Sequence, residues 1–141
     1  MRVFTAAAIV GIMAAPLVAQ TARPDGWQVR FDRTGRPDSA LKLETMRPGW
    51  HITTNGSGSA IAWQPTERAV GGYTLEVESH LFPKDGHAEG FGVIFGGHDL
   101  DADTQRYYYF LINKDGQFLI NHRAGTAVHP LTPWTASAAV V

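Results

Sequence analysis

Between residues 72 and 123 the pattern of apolar and polar side chains predicts four consecutive β-strands. Residues 73–81 show it at greatest length. Tyr73, Leu75, Val77 and Leu81 fall on one side, and Thr74, Glu76, Glu78 and His80 on the other. A period of two is the mark of a strand with one buried face. Residues 91–95, 106–112 and 117–121 follow as further apolar and aromatic runs. The last two flank Asn113-Lys114-Asp115-Gly116, which reads as a hairpin turn with Gly116 in the left-handed region.

The flanking chain is read the same way. Residues 27–31 alternate and predict a first strand, and residues 32–39 a loop. Residues 40–44 fit either a short strand or a helical turn. After a turn at Pro48-Gly49, residues 50–54 predict a strand, and residues 59–63 are expected to pair with it as a hairpin. Residues 65–72 form a loop. Beyond residue 121, the pattern predicts a turn at 123–126, a short strand at 127–131, a break at Pro133-Trp134-Thr135 and an apolar end over 137–141. Short strands separated by turn residues, with no amphipathic helical stretch, predict an all-β antiparallel sandwich or barrel.

Composition narrows the picture. The 141 residues allow one ordinary domain. A net charge of −1 gives no electrostatic reason for nucleic acid or an anionic membrane surface as partner. Cysteine is absent, which excludes disulfides, a thiolate nucleophile and thiolate metal ligands.

The first 19 residues stand apart. Arg2 precedes an uncharged, apolar run over residues 3–18, and Ala19 offers a small residue before Gln20. This is the layout of a secretory signal peptide, so residues 20–141 are expected to be the domain, periplasmic or extracellular, with no membrane span once the signal is removed. Loss of Arg2 would leave 11 basic and 13 acidic side chains, a mature charge of −2.

An alternating strand (residues 73–78), a Gly-rich strand (residues 90–95), a Tyr-rich strand (residues 107–112) and Asp115-Gly116 leading into residues 117–120 occur in that order. This succession resembles the concanavalin A-like lectin/glucanase superfamily, nearest the bacterial secreted 3-keto-disaccharide hydrolase-like domains. The resemblance implies a concanavalin A-like jelly roll and a carbohydrate-associated role. Such domains usually continue with further strands after the segment matching Trp134 to Ser137, so the resemblance also implies that C-terminal strands are lacking here. The related family 16 glucanases carry Glu, then Asp two residues on, then Glu three further. This chain has Glu76, Glu78 and then Leu81.

The candidate chemistry is sparse. Glu76 and Glu78 share a face on the expected strand, with α-carbons roughly 7 Å apart. Two such carboxylates could act as acid and base on a glycosidic bond. The alternative is a polar sheet face paired across strands to Arg106, Asn121 or Arg123. Asp99, Asp101 and Asp103 are spaced like the start of a calcium loop. Thr104 and Phe110, however, stand where an EF-hand needs Gly and Glu, leaving an irregular calcium site or a solvated connection. The six histidines show no zinc spacing. Gly90-x-Gly92 and Gly96-Gly97 lie beside a strand with no following helix, which predicts a bulge or close backbone approach. Trp50, Trp63, Trp134 and residues 107–109 supply rings able to stack on sugars or to fill a core. For ligand contact the candidates are Trp50, His98, Arg106 and Tyr108.

The expected function is an exported carbohydrate-associated binding domain, with glycan as partner, no required cofactor, and calcium as an option. Two alternatives are a glycoside hydrolase using Glu76 or Glu78, and a structural or adhesive envelope module.

Overall fold

The computed structural model describes residues 23–47, 49–54, 58–80 and 90–140. The expected signal peptide, residues 81–89 and Val141 lie outside the described residues. The fold is all-β and antiparallel. Its strands are β1 (Gln28–Phe31), β2 (Leu41–Met46), β3 (Gly49–Thr54), β4 (Ala60–Trp63), β5 (Phe91–His98), β6 (Arg106–Ile112), β7 (Gln117–Ala124) and β8 (Ala127–Ala136). A 3-10 turn, Asp38–Ala40, leads into β2, so both readings of residues 40–44 hold in part.

β5, β6, β7 and β8 form one four-stranded sheet in chain order. Tight turns produce this meander. Asn113 is buried, and its side-chain oxygen accepts from the backbone N–H groups of Asp115 and Gln117, each at 3.0 Å. Gly116 has φ 71°, as its place in the turn predicts. A second left-handed glycine, Gly125 (φ 57°), turns β7 into β8.

The sheet has an inner and an outer face. Tyr107 and Leu119 are buried on the inner one. Arg123, on the same face as Tyr107 by alternation, reaches Asp32 just beyond β1 at 3.6 Å. Arg30 on β1 reaches Asp103 in the β5–β6 connection at 2.9 Å. These two ion pairs tie the β1–β4 ribbon against the main sheet, giving the layered arrangement of a sandwich. Among the described residues, the remaining buried apolar side chains are Ala40, which ends the 3-10 turn, and Leu41 and Leu43 at the start of β2.

Four expectations are corrected. First, residues 59–63 do not pair with residues 50–54. β3 pairs with β2, with Met46 opposite Gly49, and β4 pairs with β1. Only residues 47 and 48 separate Met46 from Gly49, a two-residue connection, and the shortest connection captures the strand first.

Second, residues 73–80 form no strand, and all of their side chains are exposed. Tyr73, Leu75 and Val77 are 50%, 51% and 60% exposed. Alternation determines which side of an extended segment would be buried. It does not supply the neighbouring edge whose N–H and C=O groups complete a ladder.

Third, Glu76 and Glu78 meet no arginine among the described residues. Glu78 instead lies 3.1 Å from His80, two residues on. Without a strand there is no cross-strand neighbour to supply the guanidinium.

Fourth, Pro133-Trp134-Thr135 is no break, because β8 runs through both Pro130 and Pro133. β8 lies at the sheet's edge, where a missing N–H on the outer side leaves no ladder bond unmade. Its register with β7 shifts twice, between Phe118 and Ile120 and between Ile120 and Asn121, so β8 absorbs the prolines as bulges.

Candidate functional site

The outer face of the main sheet carries a row of four rings. The register sets Phe95 opposite Tyr108, Tyr108 opposite His122, and His122 opposite His129. The rings stack across all four strands, with centroid separations of 5.7 Å for Phe95–Tyr108, 4.6 Å for Tyr108–His122 and 5.8 Å for His122–His129. Their planes are within 28° of one another at each step, so each ring lies face towards face with the next and Tyr108 is held between Phe95 and His122. Three interstrand steps make it about 14 Å long. Tyr108 sits near the middle and is 40% exposed, Phe95 and His122 are half-buried, and His129 is exposed.

Glycines make room for this arrangement. β5 carries one extra residue between Phe95 and His98, and Gly96 has φ 61°. A β-carbon at Gly96 would lie 3.4 Å from the Tyr108 ring, and one at Gly92 would collide with the Phe110 carbonyl oxygen. The expected bulge and close approach are both present. The bulge also sets His98 opposite Arg106. Arg106, exposed and two residues before Tyr108, shares its face by alternation.

The structure therefore brings His98, Arg106 and Tyr108 together. Trp50 does not join them. It lies on β3 opposite Thr45, in the separate β2–β3 ribbon, 44% exposed. Glu76 and Glu78 are exposed in the unpaired segment.

Nor do the three aspartates converge. Asp103 holds Arg30, and Asp99 (φ 52°) caps its own turn, accepting from Thr104 Oγ1 at 3.4 Å. Asp101 lines a cavity of about 280 Å³ with Gln28, Arg30 and Trp63. Among the described residues, no group of three or more His, Cys, Asp or Glu side chains could hold a metal ion.

Below the row, on the same outer face, Phe110 and Phe118 stack at 5.8 Å. With Ile112, Ser137, Ala139 and Val140 they line an apolar cavity of about 460 Å³. Residues 137–140 turn back here, with Ser137 N–H donating to the Gly116 carbonyl at 3.0 Å.

On the inner face Tyr109 Oη accepts from Asn121 Nδ2 at 2.9 Å. Tyr107 beside it has its phenol pushed up to about 12, chiefly by burial and then by the Asp32 carboxylate, with Arg123 opposing.

The strand pattern alone does not single out Phe95, His122 and His129. The signal that could find the two histidines is the pair of turns. A tight connection at residues 113–116 sets 108 opposite 122, and one at 125–126 sets 122 opposite 129. No family model, curated protein or solved structure matches this chain.

Proposed function

We propose that this chain is an exported carbohydrate-associated binding domain of the concanavalin A-like type. It acts outside the cytoplasm and takes its ligand on the outer face of the main sheet. The observation that carries this reading is the row Phe95–Tyr108–His122–His129, with Tyr108 accessible at its centre. A pyranose has an apolar C–H face that suits a flat ring. The row holds Tyr108 fixed between Phe95 and His122, and its exposed part offers aromatic surface and a hydroxyl to such a ligand. His98 and Arg106 supply hydrogen-bond donors beside it.

A glycan-array screen of the exported protein, with and without calcium, tests the reading. At least one saccharide should bind, and Tyr108→Ala should weaken it by about tenfold, equivalent to about 1.4 kcal/mol. Retention of full affinity by Tyr108→Ala, or binding that needs Trp50 instead, would move the site elsewhere.

A further inference from the structure

The strands β5 to β8 contain no Asp or Glu. Their basic and imidazole side chains are His98, Arg106, His122, Arg123 and His129. Arg123 belongs to the inner face, where it reaches Asp32 at 3.6 Å and donates to the Gly125 carbonyl at 2.7 Å. The other four go with the outer face. His98 and Arg106 are opposite each other at one end of the ring row, and His122 and His129 are members of it. Among the described residues Arg106 enters no ion pair. The carboxylate nearest to it in sequence is Asp103, which is held by Arg30 on β1, and Asp99 beside His98 accepts from Thr104.

This segregation runs against the composition. The whole chain has 13 acidic and 12 basic side chains, yet the ring-bearing face of the main sheet takes its ionisable groups from the basic residues and histidines alone. Stacking on a neutral sugar requires no such bias, because ring faces and neutral donors suffice. A planar guanidinium, free and exposed two residues from the accessible ring, fits a carboxylate or sulfate through paired N–H groups.

Building on the saccharide-binding reading, we propose that the ligand is an anionic saccharide. One sugar ring packs against the exposed part of Tyr108, and its carboxylate or sulfate is received by Arg106 with His98 beside it.

Calorimetry with three oligosaccharides of equal length tests this: an oligogalacturonate, a heparin-derived oligosaccharide and a neutral malto-oligosaccharide. At least one acidic ligand should bind about tenfold more tightly than the neutral one, and Arg106→Gln should collapse that ratio towards one. Which acidic ligand is preferred distinguishes a carboxylate-selective from a sulfate-selective site. Raising salt from about 0.05 M to about 0.5 M should weaken acidic binding in the unmutated protein, a readout that does not depend on any variant folding.

Equal affinity for neutral and acidic ligands, or an acidic preference that survives Arg106→Gln and added salt, overturns the proposal while leaving saccharide binding in place. Failure of all three ligands to bind overturns both.

Discussion

Residues 73–80 alternate cleanly in sequence, whereas β6 is one aromatic and apolar run, and they end in opposite situations. β6 lies between β5 and β7, with Tyr107 buried on one face and Tyr108 stacked on the other. Residues 73–80 have Tyr73, Leu75 and Val77 set two apart on one side, yet all three are at least half exposed and no ladder is formed. The difference lies in the connections. β6 is flanked by a bulged turn and by a hairpin that Asn113 and Gly116 close, so both of its edges meet partners over a few residues. Local turns lower the loss of chain entropy in forming a ladder, and a segment without one must find its edge at longer range.

The contrast makes several predictions, the largest first. Tyr107→Ala should destabilise the chain by about 3 to 5 kcal/mol, the usual range for removing a large buried aromatic, read from the denaturant midpoint. A loss below about 1 kcal/mol would mean that β6 is no more central than residues 73–80.

Alkaline titration sharpens the same point. Tyr107 ionises near 12 in the folded chain and near 10 once unfolded. The unfolded state therefore releases its proton first. Stability should be intact below about pH 10 and fall as pH rises towards 12. Absorbance of tyrosinate followed alongside circular dichroism checks this, and a tyrosine count that is nearly complete at about pH 11 with the fold intact would contradict it.

Gly116→Ala should cost about 1 kcal/mol, because a β-carbon is strained at φ 71°. An unchanged midpoint would show that the β6–β7 connection does not depend on that conformation.

The smallest effects belong to the unpaired segment. Leu75→Ala and Glu78→Gln should each stay within about 0.5 kcal/mol, as exposed substitutions do. Amide exchange there should be fast while the β6 amides remain protected. Slow exchange over residues 74–80 would show that this segment has found an edge after all. Loss of a measured hydrolysis in Glu76→Gln or Glu78→Gln would return catalysis to these carboxylates.

Much of the main sheet was legible from the pattern. Residues 106–112 coincide with β6, β5 and β7 were underestimated only at their ends, and the left-handed glycine was visible in Asn113-Lys114-Asp115-Gly116. The candidate site was legible in part. His98, Arg106 and Tyr108 do come together, whereas Trp50 belongs to another ribbon. His122 and His129 required the register of two successive hairpins and Phe95 that of the bulged β5–β6 pair, because rings 13, 14 and 7 residues apart become neighbours only once strands are aligned.

The sequence by itself determined the strand period, the places where the backbone turns, and which side chains share a face. Those properties depend on φ/ψ preference and side-chain direction, which act over a few residues. Tertiary structure alone decided that β4 pairs with β1 rather than β3, that β8 carries its prolines along an edge, and that residues 73–80 stay unpaired. Each of these depends on which edge is free when a strand arrives, and backbone N–H and C=O groups pair with any edge whatever side chains it bears.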